Sequence, residues 1–333
     1  MSQNSLVVCF LVFLLALGGS VLNAQSPQRR FTATDQIDAW QRIPQERPPL
    51  PIWARILVEP LPRATASLIE LDNLHRAQNP VGSVLAGKLR WVVADAIGCE
   101  YASKCAEADL RRAGVSDEEI QLLTGFSKAL PEAERAVLEF ARHLTQAGSE
   151  VTDDEVAALI RQFGAEQVVG IVHTVAFANF EYRLFLALAV DVEPSGPLPP
   201  VELKIDVEQQ AEISVPPRRP WEEVRSIAKS SDNSARVDWS QKDFSALEKA
   251  LNRQQNRSPR IVLPDASRLD SLPLDTREQT KKIIWSNVSL GYQPQLTGGW
   301  FHLMHVFRDE AMLDRVFANS VFWVVTRSNE CFY

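Results

Sequence analysis

The chain has 333 residues, 45% of them apolar, and a formal net charge of −7. This length suits about two domains, and the apolar fraction is typical of a packed protein rather than a disordered or collagen-like chain. The acidic balance, with no basic arm or face, excludes general nucleic-acid binding.

Residues 1–24 contain no Asp, Glu, Lys or Arg and have the pattern of a secretory signal peptide. An apolar run from Leu6 to Leu17 is followed by small residues up to Ala24, near which we expect cleavage. The run is short for a membrane span, although an uncleaved anchor is the alternative because no basic residue precedes it. We therefore expect an exported protein, periplasmic or extracellular. Its mature chain keeps three cysteines, which are Cys99, Cys105 and Cys331.

Residues 50–190 have helical periodicity and predict an all-α domain of about six helices. Apolar side chains recur at helical spacing through Arg63–Gln78 and, more regularly, through Val81–Ala96. Further helix starts are marked by capping boxes that begin at Ser116 and Thr152 and by Pro131, which is expected as a first helical residue. No alternating pattern with hairpin turns competes with this assignment.

A proline-rich segment separates this domain from the rest of the chain. We predict a linker or a surface-crossing arm, with short helices, over residues 191–263, because prolines cluster in its first part. A second, smaller domain is predicted over 264–333.

The second domain repeats part of the first without a gap when the chain is shifted by 232 positions. The matched pairs, in order, are Pro62 with Pro294, Thr65 with Thr297, Leu71 with Leu303, Val84 with Val316, Trp91 with Trp323, Val92 with Val324, Val93 with Val325, Cys99 with Cys331 and Tyr101 with Tyr333. An ordered set that includes Pro, Trp, Cys and Tyr indicates a duplicated domain. Copy one continues to about Ala189, whereas copy two stops at Tyr333, so we expect a C-terminally truncated second copy. The alternative is a natural half-domain that covers copy one.

The stretch from Leu89 to Glu119, with Cys99-Glu100-Tyr101 at its centre, resembles the carboxymuconolactone decarboxylase and alkylhydroperoxidase D (AhpD-like) superfamily. In its peroxidase branch a helix leads into Cys-x-x-Cys-x-x-x-His. Asn179 and Arg183 resemble the Asn-x-x-x-Arg of a late helix of the family. The resemblance covers about 50–190 fully and about 265–333 in part, and it implies a helical fold that commonly forms homo-oligomers.

Only part of the family's chemistry is carried over to these residues. Cys99 matches the first motif cysteine, but the second falls on Ala102 and the histidine on Ala106. The relay glutamate of the family falls on Gly87 or Lys88. In copy two Cys331 matches the first cysteine, and the relay positions hold Asn319 and Ser320.

A dithiol peroxidase needs one thiolate to attack the peroxide and a second thiol to form a disulfide. Cys99, at a helix start, has a position that favours thiolate. Cys99 and Cys105 suit a redox pair poorly, because six residues of helix rise about 9 Å, beyond the disulfide limit. They could bridge only if the helix begins after Cys99. We therefore expect two buried structural thiols in copy one and take Cys331 as the better catalytic candidate.

Metal chemistry has weak support in the sequence. His302 and His305 lie at i, i+3 without a third ligand, and we expect packed or surface side chains there. His143 and His173 lie in apolar helices and are expected to be hydrogen-bonded core histidines. We expect no metal and no cofactor.

Three functions fit these features. The first is an exported AhpD-like thiol peroxidase that reduces a small hydroperoxide with a cysteine pair, in which the partner of Cys331 is expected beyond Tyr333. A thiol reductant recycles this pair, and the first repeat is non-catalytic. The second is a carboxymuconolactone decarboxylase-type lyase, against which Ala106 argues in copy one. The third is a non-catalytic helical oligomerisation module.

Overall fold

Helices are the only regular structure in the part of the chain that the computed structural model describes, which confirms the predicted all-α class. The described residues are 33, 40, 49–125, 128–203, 245, 248, 259–265, 267–268 and 284–328. The predicted signal peptide, most of the 191–263 segment and Cys331 lie outside them. The helices, in chain order, are α1 (Ile52–Leu57), α2 (Pro62–Ala77), α3 (Ser83–Ile97), α4 (Glu100–Arg112), α5 (Asp117–Gln121), α6 (Glu132–Ala147), α7 (Asp153–Ala187), α8 (Ile284–Tyr292), α9 (Pro294–Ala311) and α10 (Arg315–Ser328).

Local sequence sets the start of several helices. Both predicted capping boxes are confirmed, because Ser116 accepts the backbone N–H of Glu119 at α5 and Thr152 accepts that of Glu155 at α7. Each glutamate accepts the N–H of its cap residue in return, so two otherwise unpaired donors are satisfied at each helix start. Pro131 lies one position before α6 rather than inside it.

Helix α3 lies at the centre of a first unit, which comprises the described residues between 49 and 190. It packs against α4, α6 and α7, and the side chains of Leu89, Val92 and Val93 are fully buried among them. Burying one such side chain stabilises the fold by about 1.5–3 kcal/mol. The predicted apolar stripe of Val81–Ala96 is therefore the core of this unit. Among the described helices, none is long and apolar enough to cross a membrane.

The C-terminal helices α8, α9 and α10 contact the first unit mainly through α9, which packs along α2. The backbone of α9 packs closely on the side chains of α2, since a Cβ added at Gly299 would lie 3.0 Å from Leu71 Cδ1. Phe180 of α7 meets Trp300 edge to face, with ring centroids 5.1 Å apart. Glu310 accepts the first backbone N–H groups of α2, from Arg63 at 2.9 Å and Ala64 at 2.8 Å. One carboxylate of α9 therefore caps a helix of the first unit.

The helix boundaries agree with the shift of 232 positions found in the sequence. Helices α2 and α9 both begin at a proline, and the residues before them have similar dihedrals, with φ and ψ of −141° and 62° against −134° and 64°. Thr65 and Thr297 each donate to the carbonyl four residues earlier, at 2.6 and 2.7 Å. Helices α3 and α10 likewise begin at the matched positions Ser83 and Arg315. A duplicated helical unit predicts these agreements.

The described start of the predicted linker, residues 191–203, packs on the first unit. The side chains of Val201 and Leu203 are buried, and the carbonyl of Leu198 accepts a hydrogen bond from Arg76 at 2.9 Å. Over residues 191–203 the proline-rich segment is therefore an arm that crosses the surface of the first unit.

Candidate functional site

The Cys99 motif lies at the turn between α3 and α4. Gly98 ends α3 with a left-handed φ of 71°, which allows the chain to reverse there. Cys99 is the N-cap residue of α4 and Cys105 lies in the second turn, and both thiols are free and buried. The helix thus begins after Cys99, which is the arrangement in which a disulfide between Cys99 and Cys105 was expected to be possible. The two thiols are nonetheless not bonded to each other.

Burial dominates the chemistry of both thiols. It raises the pKa of Cys99 to about 11, against the opposite effect of the Ala102 backbone N–H. It raises the pKa of Cys105 to about 12, although the guanidinium groups of Arg76 and Arg90 favour the thiolate. The expectation that a helix start favours the Cys99 thiolate is corrected here, because loss of solvent outweighs the helix dipole. Both side chains are neutral thiols at pH 7.

The positions where the family pattern has its other reactive groups are part of the packed core. Ala102 and Ala106 are fully buried. At Gly87 an added Cβ would lie 2.8 Å from Leu110 Cδ2, so a side chain there requires the buried Leu110 side chain to move. Lys88 is paired with Glu134 at 2.6 Å. The space that a second thiol, a histidine and a relay carboxylate would need is filled in the first unit.

A buried ionic cluster lies on the inner face of α4, next to Cys105. Asp109 accepts two hydrogen bonds from Arg76, at 2.8 Å and 3.0 Å, and one from Arg90 at 2.8 Å. Arg76 also pairs with Asp72 at 3.2 Å. The two guanidinium groups hold the pKa of Asp109 below its usual range against the effect of burial. The cluster joins α2, α3 and α4 through charge-assisted bonds.

Glu181 of α7 adjoins this cluster. It is fully buried, and no N–H or O–H donor in the described part of the chain reaches either carboxyl oxygen. Burial, and then the neighbouring Asp72 carboxylate, raise the pKa of Glu181 well above its usual value. Both effects favour the protonated form of Glu181, in contrast to Asp109, whose pKa is lowered.

Glu181→Gln is expected to stabilise the protein increasingly as pH rises. A raised folded-state pKa gives stability that is present below the unfolded pKa of about 4.5 and lost as pH rises toward the folded value. Glutamine mimics the neutral acid, so the variant avoids this loss and gains about 1.4 kcal/mol per pH unit in that window. Urea denaturation at pH 4.5 and 7.5 measures the difference. Glu139→Gln, at an exposed carboxyl of α6, is the control, and an equal response of the two variants would contradict a neutral Glu181.

Another buried carboxylate, that of Glu193, connects the arm of residues 191–203 to the Cys99 motif. Glu193 Oε1 accepts hydrogen bonds from the Tyr101 hydroxyl and the Ile52 backbone N–H, both at 3.1 Å. The tyrosine of Cys99-Glu100-Tyr101 therefore anchors the arm and the start of α1. This contact gives the motif tyrosine a structural role in the first unit.

The remaining residues named from the sequence have ordinary structural roles. Asn179 accepts from Arg183 at 3.3 Å and donates to Thr145 at 3.0 Å inside the core. His143 is half-buried against Glu155 at 2.7 Å. His173 is a buried histidine whose Nε2 lies 3.3 Å from Thr297 Oγ1, which confirms the predicted core histidine.

Less of the predicted second copy lies within the described residues. Cys331 lies outside the described residues, and Asn319 and Ser320 are exposed on α10. His305 is exposed beside Asp309. Within the described ranges, no group of three or more His, Cys, Asp and Glu residues is placed to hold a metal ion.

The assignment of a function rests on the residues described above, because comparison with known proteins gives no match. No family model, no curated protein and no solved structure matches the chain. The buried cluster of Asp109, Arg76 and Arg90 was not predicted from sequence. The sequence feature that could have indicated this cluster is the i, i+4 spacing of Asp72 with Arg76 and of Cys105 with Asp109. This spacing places polar groups on helix faces that are otherwise apolar.

Proposed function

We propose that this protein is an exported thiol peroxidase of the AhpD-like type, in which Cys331 reacts with the hydroperoxide and the first unit is non-catalytic. The agreement of helix starts at the shift of 232 positions is the observation that carries the proposal. In the sequence, Cys331 lies 232 positions after Cys99, which is the same shift that relates the starts of α2 and α9 and of α3 and α10. This common shift supports equivalent sequence positions for the two cysteines.

The chemistry needs only Cys331 and an external thiol. The Cys331 thiolate attacks one peroxide oxygen, the O–O bond breaks, and the cysteine becomes a sulfenic acid while the alkoxide takes a proton from water. A reductant thiol then condenses with the sulfenic acid to a mixed disulfide and releases water. A second reductant thiol attacks this disulfide, regenerates Cys331 and leaves as the oxidised reductant.

The first unit supports this proposal because neither of its thiols is suited to react with a hydroperoxide. Its thiols have pKa values of about 11 and about 12, and their surroundings are packed. A peroxidatic cysteine needs a thiolate that a hydroperoxide can reach, and neither Cys99 nor Cys105 meets either condition. The same packing argues against the lyase alternative in this unit, since Ala106 leaves no acid or base at the histidine position.

A non-catalytic pairing function has its own support in the contact between α2 and α9. Glu310, Trp300 and Gly299 tie the C-terminal helices to the first unit through that contact. In the peroxidase proposal this contact positions the C-terminal helices. If the protein has no turnover at all, the contact itself is the remaining function.

Replacing Cys331 by serine is expected to abolish dithiothreitol-dependent consumption of cumene hydroperoxide. Serine has nearly the same size but cannot form a sulfenic acid, so the rate falls to that of the reductant alone. Cys99→Ala and Cys105→Ala are the matched controls and are expected to keep the rate of the unmodified protein. Loss of turnover in a folded control variant would place the reaction in the first unit, and turnover that survives Cys331→Ser would overturn the proposal.

A further inference from the structure

One buried histidine lies in the contact between the first unit and α9, and a second histidine is buried beside it. His75 of α2 stacks on Phe177 of α7, with ring centroids 4.1 Å apart and planes 7° apart. His173 of α7 lies against Thr297 of α9, with 3.3 Å between Nε2 and Oγ1. Both histidines are less than 10% exposed, at 2% and 8%. The contact of α9 with the first unit therefore covers His173, which can take a proton near neutral pH, and His75 is close enough to interact with it.

The hydrogen bonds around Thr297 fix the proton on His173. The Thr297 hydroxyl donates its one hydrogen to the carbonyl of Gln293 at 2.7 Å. Its oxygen can then only accept from the ring, so Nε2 of His173 carries the hydrogen and donates it to Thr297. Nε2–H makes this bond in both the neutral and the protonated ring, so the burial of His173, and not the bond to Thr297, opposes a charge on the ring. On His75, Nδ1 has no partner in the described part of the chain.

The charged groups near the two rings all disfavour protonation. Helices α2 and α7 bring His75 and His173 to each other, and α3 brings Arg90 toward His75. Among the described residues, α8 and α9 bring no charged group that acts on either ring. A proton on either ring would therefore be a buried charge without a carboxylate to balance it.

We propose that His75 and His173 form an acid-sensitive latch, which releases α9 from the first unit when the rings take up protons. The neutral rings allow the contact, and protonated rings require solvent that only the released state provides. The latch does not depend on the proposed peroxidase activity.

The direction of the effect follows from the burial of the rings. Burial lowers the pKa of His173 to about 4, and burial, His173 and Arg90 lower that of His75 well below its usual value. The docked state then binds fewer protons than the released state, so docking weakens as pH falls below about 6.5. For His173 alone, a pKa of 6.5 when released and about 4 when docked weakens docking about 30-fold at pH 5.

Hydrogen exchange of the α9 backbone amides, corrected for the intrinsic rate at each pH, tests the latch in the whole protein. Protection of α9 is expected to fall about 30-fold or more between pH 7.5 and pH 5, while amides of α3 keep theirs. His173→Gln retains an N–H donor for Thr297 but takes no proton, so its α9 should lose much less protection with acid. His75→Gln is a second variant with the same expectation.

His143→Gln is the matched control, because His143 is half-buried on α6 and pairs with Glu155. It is expected to leave the pH response of α9 unchanged. The response to pH is the readout, so a uniform loss of protection in a variant does not affect the comparison. If α9 keeps its protection down to pH 5, or if both glutamine variants respond to acid like the unmodified protein, the latch is wrong.

Discussion

Asp109→Asn is expected to lower the free energy of unfolding by about 3–5 kcal/mol, because it removes one partner of a buried ion cluster. Asparagine keeps the shape of the side chain but has no charge, so Arg90 loses its ion pair and Arg76 keeps only its pair with Asp72. An uncompensated guanidinium in the core costs far more than a lost surface pair. Urea denaturation at pH 7 measures the loss.

Asp117→Asn is the matched control, since Asp117 pairs with Arg111 at 2.7 Å but both side chains are at least half exposed. Its cost is expected to be less than about 1 kcal/mol, because water screens the pair. The cost of Asp109→Asn should also shrink in acid. A lowered folded-state pKa gives stability that is present above the unfolded value of about 3.8 and lost as pH falls through the folded value. Similar costs for the two substitutions would contradict a cluster that holds α2, α3 and α4 together.

The parts of this fold that were predicted from sequence depend on local chemistry. The capping boxes at Ser116 and Thr152 use side chains three residues apart, so the printed sequence contains both partners of each bond. The stripe of Val81–Ala96 gives the buried face of α3 by periodicity alone. Helix class and approximate boundaries follow from such features without knowledge of the tertiary fold.

The candidate site could not be predicted to the same depth, because its energetics depend on distant contacts. Arg76 reaches Asp109 across 33 positions of sequence, and Arg90 reaches it across 19. The helix start at Cys99 was predicted from local pattern, whereas the burial that suppresses its thiolate comes from the packing of the tertiary fold. A local motif therefore indicates the likeness to a family, while only the packing shows that the first unit has no room for its chemistry.

Gly87→Ala is expected to lower the free energy of unfolding by about 1–3 kcal/mol, although alanine is the better helix former. The new Cβ would lie 2.8 Å from Cδ2 and 3.0 Å from Cγ of Leu110, a fully buried side chain that would have to move. Gly298→Ala is the matched control, because Gly298 lies inside α9 with no atom within 4 Å of its added Cβ. There alanine is expected to stabilise by about 0.5–1 kcal/mol.

Gly87→Glu, which would restore a carboxylate at the relay position of the family pattern, is expected to unfold the first unit rather than create activity. It adds the overlap with Leu110 to a buried carboxyl beside α4, and the two costs together approach the whole stability of a typical domain. Circular dichroism and urea denaturation follow the loss of structure, and the peroxide assay follows activity.

Leu110→Ala in the Gly87→Ala background removes the overlapping atoms, so the two substitutions should cost less together than the sum of their separate costs. Additive costs, or a stable Gly87→Glu protein with thiol-dependent turnover that requires Cys99, would show that this space is available for catalysis and that the first unit had been assigned the wrong role.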